Sequence, residues 1–349
     1  MIEGLQTIEG YPMVEDGVDL DALVLVAGHG SIGARHVRNL LTLGPGIVVV
    51  EPDDGRRAAV PGGLRTYKTV EAALKDERPS HAIVATPASE HESAFSLEIQ
   101  RVLIEKPLLV WGSDPLGEVR AERFTSHPER FSVGFNLRFL PSLRAFREKV
   151  RAAPLGRVLW ARVECSSYAP SWRPDRPYAF TPSAWKIQGG GALRECSHEI
   201  DLVRWIFGSP TVRTAVVDQT HSLIGDSDDY ALAVLRTPYC ERVELHLDLV
   251  WRDARRRIEV ICEGGTVEWE LQCNPPVVST EHRANHDGTT WTTSHYGRAR
   301  DDIDGTYITE VKALLSDVIP EWADPNMATL EDGLAAVRLV DQIEAVAVK

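Results

Sequence analysis

The segment from residue 21 to residue 57 constrains the fold of this chain more than any other. An apolar run at residues 22–27 leads into the sequence GHGSIG at residues 28–33, which opens an amphipathic segment. A second apolar run, residues 47–50, ends at Glu51. A strand, a glycine-rich turn, a helix and a second strand that ends in a carboxylate form the dinucleotide-binding fingerprint.

Each position of the glycine-rich turn has a physical role in holding a dinucleotide. Gly28 permits the tight turn, Gly30 leaves room for the pyrophosphate, and Gly33 lets the helix pack closely on the sheet. The first N–H groups of the helix, around Ser31 and Ile32, attract the phosphates together with the positive end of the helix dipole. A glycine-rich turn in an α/β protein that binds no nucleotide is the alternative interpretation.

Glu51 predicts the type of nicotinamide cofactor. Its carboxylate can accept hydrogen bonds from the adenine-ribose hydroxyls and repels a 2′-phosphate, so the sequence favours NAD over NADP. Arg56 and Arg57 follow closely, and two cations near the ribose keep NADP possible.

The composition is that of a globular protein large enough for two domains. Hydrophobic residues make up 43% and charged residues 26% of the 349 residues. No apolar run reaches the length of a membrane span, and the N-terminus lacks the apolar core of an export signal. The net charge of −13 argues against a nucleic-acid partner, since such proteins favour a basic face.

The cysteines point to a reducing compartment. They are scattered, odd in number and without a CxxC pair, which is typical of free thiols. The five are Cys165, Cys196, Cys240, Cys262 and Cys273. We therefore expect a cytoplasmic protein with no membrane or nucleic-acid partner.

Strand and helix signals alternate in the first part of the chain. A helical stretch at residues 69–77 is followed by apolar runs at 81–86, 101–104 and 131–135. Strands separated by helices indicate parallel βαβ units, and ligands bind such a sheet at the carboxyl ends of its strands. We predict an α/β Rossmann domain that binds the cofactor, over residues 1–137.

Strand-like runs dominate the rest of the chain. They lie at residues 157–164, 212–217, 230–235, 243–251, 258–262 and 266–271. Gly264 and Gly265 indicate a hairpin between the last two runs, and the alternation of apolar residues from Val243 to Leu249 indicates a sheet with one buried face. We predict an α+β domain over residues 138–349 with a large open antiparallel sheet, for substrate binding and for contact with a partner subunit.

The chain is expected to close with a helix over residues 329–346. Thr329 and Asp332 form a capping-box pattern, and Leu330, Leu334 and Val337 fall on one helix face.

Lys106 is the first candidate for chemistry. It lies in the sequence IEKP at the end of a predicted strand, where its ammonium group would point into the cofactor crevice. There it could bond a substrate hydroxyl and stabilise the alkoxide that forms as a hydride leaves. A surface lysine at a strand end is the alternative.

His198 is the second candidate, in a segment that begins with the glycine triplet 189–191. Three glycines before a helix would let its first turn approach a ligand closely. Glu195 and His198 are spaced to share a helix face, so the carboxylate could orient the imidazole, and Asp201 follows. A histidine that titrates near neutrality is a natural base for a hydroxyl proton. A core histidine capped by a carboxylate is the alternative.

Six segments together resemble the Gfo/Idh/MocA oxidoreductases, the family of glucose–fructose oxidoreductase and inositol dehydrogenase. The sequences are GHGSIGARHVRNL (28–40), VATPASEH (84–91), IEKPL (104–108), GFNLRF (134–139), GGGALRECSHEIDLVRWIFG (189–208) and EGGTVEWEL (263–271). They occur in the family's order along almost the whole chain. The resemblance implies a Rossmann domain, an α/β domain with an open antiparallel sheet, and assembly into homodimers or homotetramers through that sheet.

The resemblance also implies roles for particular residues. His198 matches the catalytic histidine and Glu195 the acid before it, although many relatives carry an aspartate at the place of Arg194. Lys106 matches the lysine that contacts substrate and nicotinamide. Residues matching the loops that line the cofactor are Thr86, Pro87, His91 and Glu105, and Asn136 and Arg138 lie in a matching segment near the substrate.

The substrate is expected to be a sugar, an inositol or a nucleotide sugar. Trp172 and Trp185 could stack on a sugar ring. Arginines could bind a phosphate or carboxylate on it, namely Arg138, Arg173, Arg176 and Arg194. A surface loop that uses tryptophan and proline for local packing is the alternative. His282, His286 and His295 lack further ligands at metal spacing, so no metal is expected.

The sequence thus predicts an NAD(P)-dependent oxidoreductase acting on a secondary hydroxyl or ketone. Two other functions stay open: a redox-assisted lyase or glycosidase that keeps NAD tightly bound, and a cofactor-sensing regulator without catalysis.

Overall fold

The first sheet of the protein is parallel and lies in its N-terminal part. A computed structural model describes residues 17–110, 125–271, 279–284, 291–296, 303–316 and 326–348. The parallel strands are β1 (Leu23–Ala27), β2 (Gly46–Val50), β3 (Arg65–Tyr67), β4 (His81–Val84), β5 (Arg101–Ile104) and β6 (Phe131–Val133), in the order β6-β5-β4-β1-β2-β3. The predicted Rossmann architecture is confirmed.

Buried apolar runs form the central strands of this sheet. Residues 24–27, 47–50 and 81–84 are buried, as expected for strands that are covered on both faces. The connecting helices are α1 (Ser31–Leu43), α2 (Asp54–Ala58) and α3 (Val70–Asp76). Thr69 caps α3 by accepting a hydrogen bond from the Ala72 N–H.

The second sheet has nine strands in the described part of the chain. Its strands are β7 (Val158–Tyr168), β8 (Thr211–Asp218), β9 (Tyr230–Arg236), β10 (Val243–Asp248), β11 (Val250–Cys262), β12 (Gly265–Leu271), β13 (Ser279–Ala284), β14 (Trp291–Tyr296) and β16 (Ala347–Val348). The order is β14-β13-β12-β11-β7-β10-β9-β8-β16. The sheet is mixed rather than purely antiparallel, because β7 pairs with β10 and β8 with β16 in parallel.

The predicted strand over residues 243–251 is wrong in one respect, because the chain turns within it. Asp248 Oδ1 accepts hydrogen bonds from the N–H groups of Val250 and Trp251, which ends β10 and starts β11. The two strands then pair with opposite edges of β7. The predicted burial of Val243, Leu245 and other alternate residues of β10 is observed, and so is the β11–β12 hairpin.

Helices cover the inner face of the second sheet. They are α4 (Pro141–Ala152), α5 (Ala192–Glu195), α6 (Ser197–Phe207) and α8 (Leu330–Val346), of which α4 packs on β12, α6 on β7 and α8 on β8. The predicted capping box of α8 forms between Thr329 and Asp332. Among the described helices, none is long and apolar enough to cross a membrane.

The chain returns to the first sheet in its last quarter. α7 (Ile303–Leu314) packs on α1 and β5, and β15 (Ala328–Thr329) pairs antiparallel with β6. The division at residue 137 stays a prediction, and the structure adds that these later segments complete the parallel sheet.

Candidate active site

The glycine-rich turn has the shape that the fingerprint requires. Gly28 adopts φ +93°, and a Cβ on Gly33 would lie 1.9 Å from the Gly28 carbonyl oxygen, so neither position accepts a side chain. At Gly30, no described atom lies within 4 Å of the place a Cβ would take. The turn therefore leaves an open approach to the N-terminus of α1, whose first N–H groups include those of Ser31 and Ile32.

Glu51 is buried at the end of β2 and shapes the turn. Its Oε2 accepts a hydrogen bond from the His29 N–H at 2.7 Å, and its Oε1 accepts one from the Asp53 N–H at 2.9 Å. Each carboxylate oxygen has a second lone pair, so Glu51 can still accept bonds from ribose hydroxyls.

The two arginines that follow Glu51 differ in how exposed their side chains are and in how many bonds they form within the protein. Arg57 donates to the backbone oxygens of Glu51 and Pro52 and pairs with Asp54. The Arg56 side chain is 59% exposed, with its Nε 3.5 Å from Glu51 Oε1. Arg56 is thus the cation of this pair that can face a ribose.

His91 joins the loops that follow β4 and β5. Its Nε2 lies 2.9 Å from the carbonyl oxygen of Thr86, and its Nδ1 lies 3.1 Å from that of Pro107. Burial lowers the pKa of His91. The imidazole holds together two loops at the carboxyl edge of the sheet, while its predicted contact with a cofactor stays a prediction, as does that of the exposed Pro87.

The Glu105 side chain contacts α1. Its Oε1 lies 2.7 Å from His36 Nε2 of α1, and its Oε2 accepts from the Lys106 N–H at 3.3 Å. Burial, followed by the charge of Glu105, raises the pKa of Glu310 in α7 well above its usual range. The Glu105 carboxylate therefore connects α1 to β5, and its predicted role as a cofactor contact stays a prediction.

Lys106 reaches across to α5. Its ammonium Nζ donates to the backbone carbonyl oxygen of Glu195 at 3.2 Å. This contact brings the lysine to the end of α5, directly before the helix that carries His198.

His198 lies in the first turn of α6 and is 8% exposed. Burial lowers the pKa of its imidazole well below the usual range, and the charges of Lys106 and Arg256 add to this shift. Its Nδ1 is buried with no hydrogen-bond partner among the described residues. At neutral pH the imidazole is therefore uncharged and able to accept a proton.

The expected orientation of His198 by a carboxylate is wrong for both candidate acids. Glu195 accepts a hydrogen bond from the Ser183 hydroxyl instead, because the helix is interrupted at Cys196 (φ −90°, ψ 32°) and the shared helix face is lost. The Asp201 carboxylate is bonded to the Arg138 guanidinium. Neither accepts a hydrogen bond from His198 in the described structure.

Three side chains that were predicted to contact the substrate are hydrogen-bonded to other side chains of the protein. Arg138 is 3% exposed, and its Nε donates to Asp201 Oδ2 at 2.8 Å. Asn136 is buried and donates to the Thr306 hydroxyl at 2.6 Å. Arg194 is buried and forms a bidentate pair with Glu344 of α8, so both arginines stabilise the core rather than face a ligand.

The glycine triplet serves packing. A Cβ on Gly190 would lie 2.4 Å from the Ser183 carbonyl oxygen, and one on Gly191 would lie 2.2 Å from Asp228 Oδ1. Asp228 accepts a hydrogen bond from the Leu193 N–H at the start of α5. The expectation that these glycines admit a ligand is wrong for both positions, because protein atoms fill that space.

The predicted sugar-binding loop follows β7. Trp172 is 42% exposed and donates from Nε1 to the Ser167 hydroxyl, while the half-buried Trp185 donates to the Ala179 carbonyl oxygen. Arg173 and Arg176 are exposed. The two exposed arginines and Trp172 remain free to meet a substrate.

Two interactions at the site have no signal in the sequence. They are the Ser183–Glu195 hydrogen bond, between residues 12 positions apart, and the ion pair between Glu199 and Arg256, between residues 57 positions apart. Of the three histidines considered as metal ligands, His286 lies outside the described residues, and only the backbones of His282 and His295 are described, in β13 and β14.

Comparison with known proteins gives a consistent result. The family model of the GFO/IDH/MocA C-terminal domain matches residues 143–268. Inositol 2-dehydrogenase of Leifsonia xyli subsp. xyli is 29% identical over 56% of this chain, a match that spans 56% of that relative. Inositol 2-dehydrogenase of Acidothermus cellulolyticus is 29% identical over 74% of this chain and 75% of its own length.

Solved structures share the fold of the whole chain. GenD2 from gentamicin A biosynthesis, in complex with NAD, has a TM-score of 0.73 at 24% identity and covers 99% of this chain and 97% of its own. Levoglucosan dehydrogenase, in complex with NADH and levoglucosan, has a TM-score of 0.76 at 18% identity, over 93% and 97% of the two chains. Residues 143–268 are therefore similar to the C-terminal domain of the GFO/IDH/MocA family, and the whole chain shares the fold of GenD2 and levoglucosan dehydrogenase.

Proposed function

We propose that this protein is an NAD-dependent dehydrogenase that oxidises a secondary hydroxyl of a sugar or an inositol, or reduces the matching ketone. One observation supports this most strongly. The Lys106 ammonium, which follows a strand of the parallel sheet that carries the glycine-rich turn, bonds the Glu195 carbonyl oxygen, three residues before the buried, uncharged His198. A base, a cation and a cofactor crevice are the parts that hydride transfer from an alcohol needs.

The residues of the turn fit a bound NAD. The open approach at Gly30 and the free N–H groups of α1 would hold the pyrophosphate, and Glu51 would bind the adenine ribose. The Glu51 carboxylate disfavours a 2′-phosphate, which supports NAD as the preferred cofactor. The exposed Arg56 leaves some capacity for NADP.

In the proposed mechanism the chain handles the proton and the oxygen of the substrate. The His198 imidazole removes the proton of the reacting hydroxyl. Its lowered pKa keeps the imidazole uncharged, which is the form that accepts a proton. The Lys106 ammonium stabilises the negative charge that develops on the same oxygen. When bound, NAD supplies the acceptor for the hydride.

The substrate class is supported by the relatives and by the loop after β7. The two relatives described above are both named inositol 2-dehydrogenase, and a structural neighbour is levoglucosan dehydrogenase. Trp172 could stack on a sugar ring, and Arg173 and Arg176 could bind an anionic group on it.

The test is the absorbance of reduced cofactor when the protein is incubated with NAD and a panel of inositols and sugars. We expect Lys106→Met and His198→Gln each to lower turnover by about 10²-fold or more while NAD affinity, measured by calorimetry, stays within a few-fold of the wild type. Lys75→Met and His127→Gln change the same residue types at exposed positions and should keep full turnover. Retained turnover in both site variants would contradict the proposal.

The same experiment separates the two other functions. Turnover without added NAD, by protein that is purified with bound cofactor, would identify a redox-assisted lyase or glycosidase. NAD binding without turnover on any substrate would identify a cofactor sensor.

The proposal also covers the oligomeric state of the protein and its location in the cell. The outer face of the second sheet carries half-buried apolar residues, such as the cross-strand pair Trp160 and Ile261, which supports a homodimer or homotetramer through this face. The free thiols of all four described cysteines support a cytoplasmic location.

A further inference from the structure

The backbone of Lys106 begins where the hydrogen bonds of the parallel sheet end. The Glu105 N–H donates to the Val84 carbonyl oxygen at 2.9 Å, and the Ile104 carbonyl oxygen accepts from the Gly134 N–H at 2.8 Å. The next N–H group, that of Lys106, donates to the Glu105 side chain, with 3.3 Å between the nitrogen and Oε2. A carboxylate thus replaces a neighbouring strand as the acceptor for this backbone donor.

Glu105 is itself fixed by α1. Its Oε1 lies 2.7 Å from His36 Nε2, and both side chains are buried. His36 belongs to the helix whose N-terminus adjoins the open approach at Gly30. The Glu105 carboxylate therefore has one oxygen on the helix that would hold the cofactor phosphates and the other on the backbone of Lys106.

Gly134, which follows β6, leaves room for this carboxylate. A Cβ on Gly134 would lie 3.0 Å from Glu105 Oε2 and 3.3 Å from the Glu105 Cα. A side chain at this position would therefore press on the oxygen that accepts from the Lys106 N–H.

The chain after Lys106 and the tip of its side chain are held as well. His91 Nδ1 lies 3.1 Å from the Pro107 carbonyl oxygen and 3.2 Å from that of Leu108. The Lys106 Nζ donates to the Glu195 carbonyl oxygen at 3.2 Å. Of these contacts, the bond to Glu105 connects the lysine to α1.

A second buried carboxyl group in the same region differs from Glu105 in its contacts. Glu310 of α7 is 0% exposed, and neither of its oxygens has a hydrogen-bond partner among the described residues. Burial, followed by the charge of Glu105, raises the pKa of Glu310 well above its usual range, so this group is protonated at neutral pH. Glu310 is therefore a matched control for Glu105.

We propose that Glu105 is a positioning residue for Lys106: its two oxygens hold the backbone of the lysine and α1 in one arrangement, so that the ammonium group meets a substrate bound beside the cofactor. This role rests on the proposed function, in which Lys106 stabilises the charge on the substrate oxygen. A misplacement of about 1 Å in such a group can lower turnover by about 10²-fold.

The test follows the Lys106 side chain by NMR, in protein labelled with ¹³C at the lysine ε-carbons. The Lys106 signal is assigned through Lys106→Met. Glu105→Met removes both acceptor oxygens at similar side-chain length, and we expect it to move the Lys106 signal towards that of the exposed Lys75. Glu310→Met removes the carboxyl group that has no such bonds and should leave the Lys106 signal unchanged. An unchanged signal in Glu105→Met, or an equal movement in Glu310→Met, would overturn the proposal.

Glu105→Gln is the conservative variant. Its amide oxygen can accept from the Lys106 N–H, and its NH₂ group can donate to His36 Nε2 once the imidazole carries its proton on Nδ1. The Lys106 signal should therefore stay near its wild-type position. A movement as large as that in Glu105→Met would show that the charge of Glu105 matters rather than its hydrogen bonds, which would refute the inference.

Turnover provides the second readout. Glu105→Met should lower kcat about tenfold or more, while the Kd for NAD, measured by calorimetry, stays within a few-fold of the wild type. A purely structural role would lower the melting temperature and leave kcat of the folded protein unchanged. If Glu105→Met does not fold, Gly134→Ala keeps Glu105 but presses on its Oε2. It should move the Lys106 signal in the same direction, and an unchanged signal would count against the proposal.

Failure of the proposed function gives a different result, because the NMR measurement needs no substrate. The Lys106 signal would then respond to Glu105→Met as expected, while the wild-type protein would turn over no inositol or sugar of the panel. That result would contradict the proposed function and still support the bond from Glu105 to Lys106.

Discussion

Burial and pairing decide what each charged side chain near the site can do. His198 is kept uncharged by burial and by two nearby cations, which suits a base. Arg138 carries its charge in the core, because it is bonded to Asp201 and Asp332. Arg173 belongs to the same predicted substrate-binding set and is exposed. The same residue type thus stabilises the fold at one position and is free for a ligand at the other.

This difference predicts opposite results for two arginine variants. Arg138→Met should destabilise the protein by about 3–5 kcal/mol in urea unfolding, because the Asp201 carboxylate is left buried without its partner. Arg173→Met should leave the free energy of unfolding within about 0.5 kcal/mol of the wild type and raise KM for an anionic substrate. Equal stability of the two variants would contradict the assignment of Arg138 to the core.

At the scale of elements, the contact between α1 and the glycine-rich turn sets the geometry of the cofactor crevice. Gly33 of α1 packs directly on the Gly28 carbonyl oxygen, whereas Gly30 faces open space. His36 further along α1 contacts Glu105 at the end of β5. The helix is therefore fixed to the sheet at two points, and its N-terminus is held where phosphates would bind.

Alanine substitutions at the two glycines should separate stability from affinity. Gly33→Ala should lower the melting temperature measurably, because its Cβ would lie 1.9 Å from a backbone oxygen and α1 must shift. Gly30→Ala has space in the fold, so we expect a near-wild-type melting temperature with NAD affinity lowered about tenfold or more. Thermal unfolding and calorimetry measure the two effects. A Gly33→Ala protein as stable as the wild type would disprove the close packing.

At the scale of the whole molecule, the C-terminal segments join the two sheets. α7 packs on α1, and α8 carries Asp332, which bonds Arg138 and Arg204, and Glu344, which bonds Arg194. α7 therefore contacts the part of the fold that carries the glycine-rich turn, and α8 bonds residues of the part that carries His198.

We expect charge on the outer face of the second sheet to break the assembly. The double variant Trp160→Glu/Ile261→Glu places two carboxylates on neighbouring strands of the half-buried face, which should convert a dimer or tetramer to a smaller species in light scattering. Ile224→Glu is the control, since Ile224 is 73% exposed in a loop. A wild-type protein that is already monomeric, or a double variant of unchanged mass, would exclude this interface.

The sequence by itself determined the elements and the likeness to a family. The glycine pattern with Glu51, the apolar runs and the capping box of α8 depend on neighbours within a few residues, so the parallel sheet, the strand-rich second part and the last helix were predictable. The chain turn at Asp248, which splits a predicted strand, depends on a side chain that bonds the following backbone.

Only the tertiary structure decided which polar residues face the crevice. Arg138, Arg194, Glu195 and Asp201 looked like site residues because of their motifs, yet each has a partner that is distant in sequence or contributed by another element. Arg256 looked like part of a charged strand, and the β7–β11 register brought it beside Glu199. Burial and pairing arise from contacts between remote segments, which local sequence patterns do not encode.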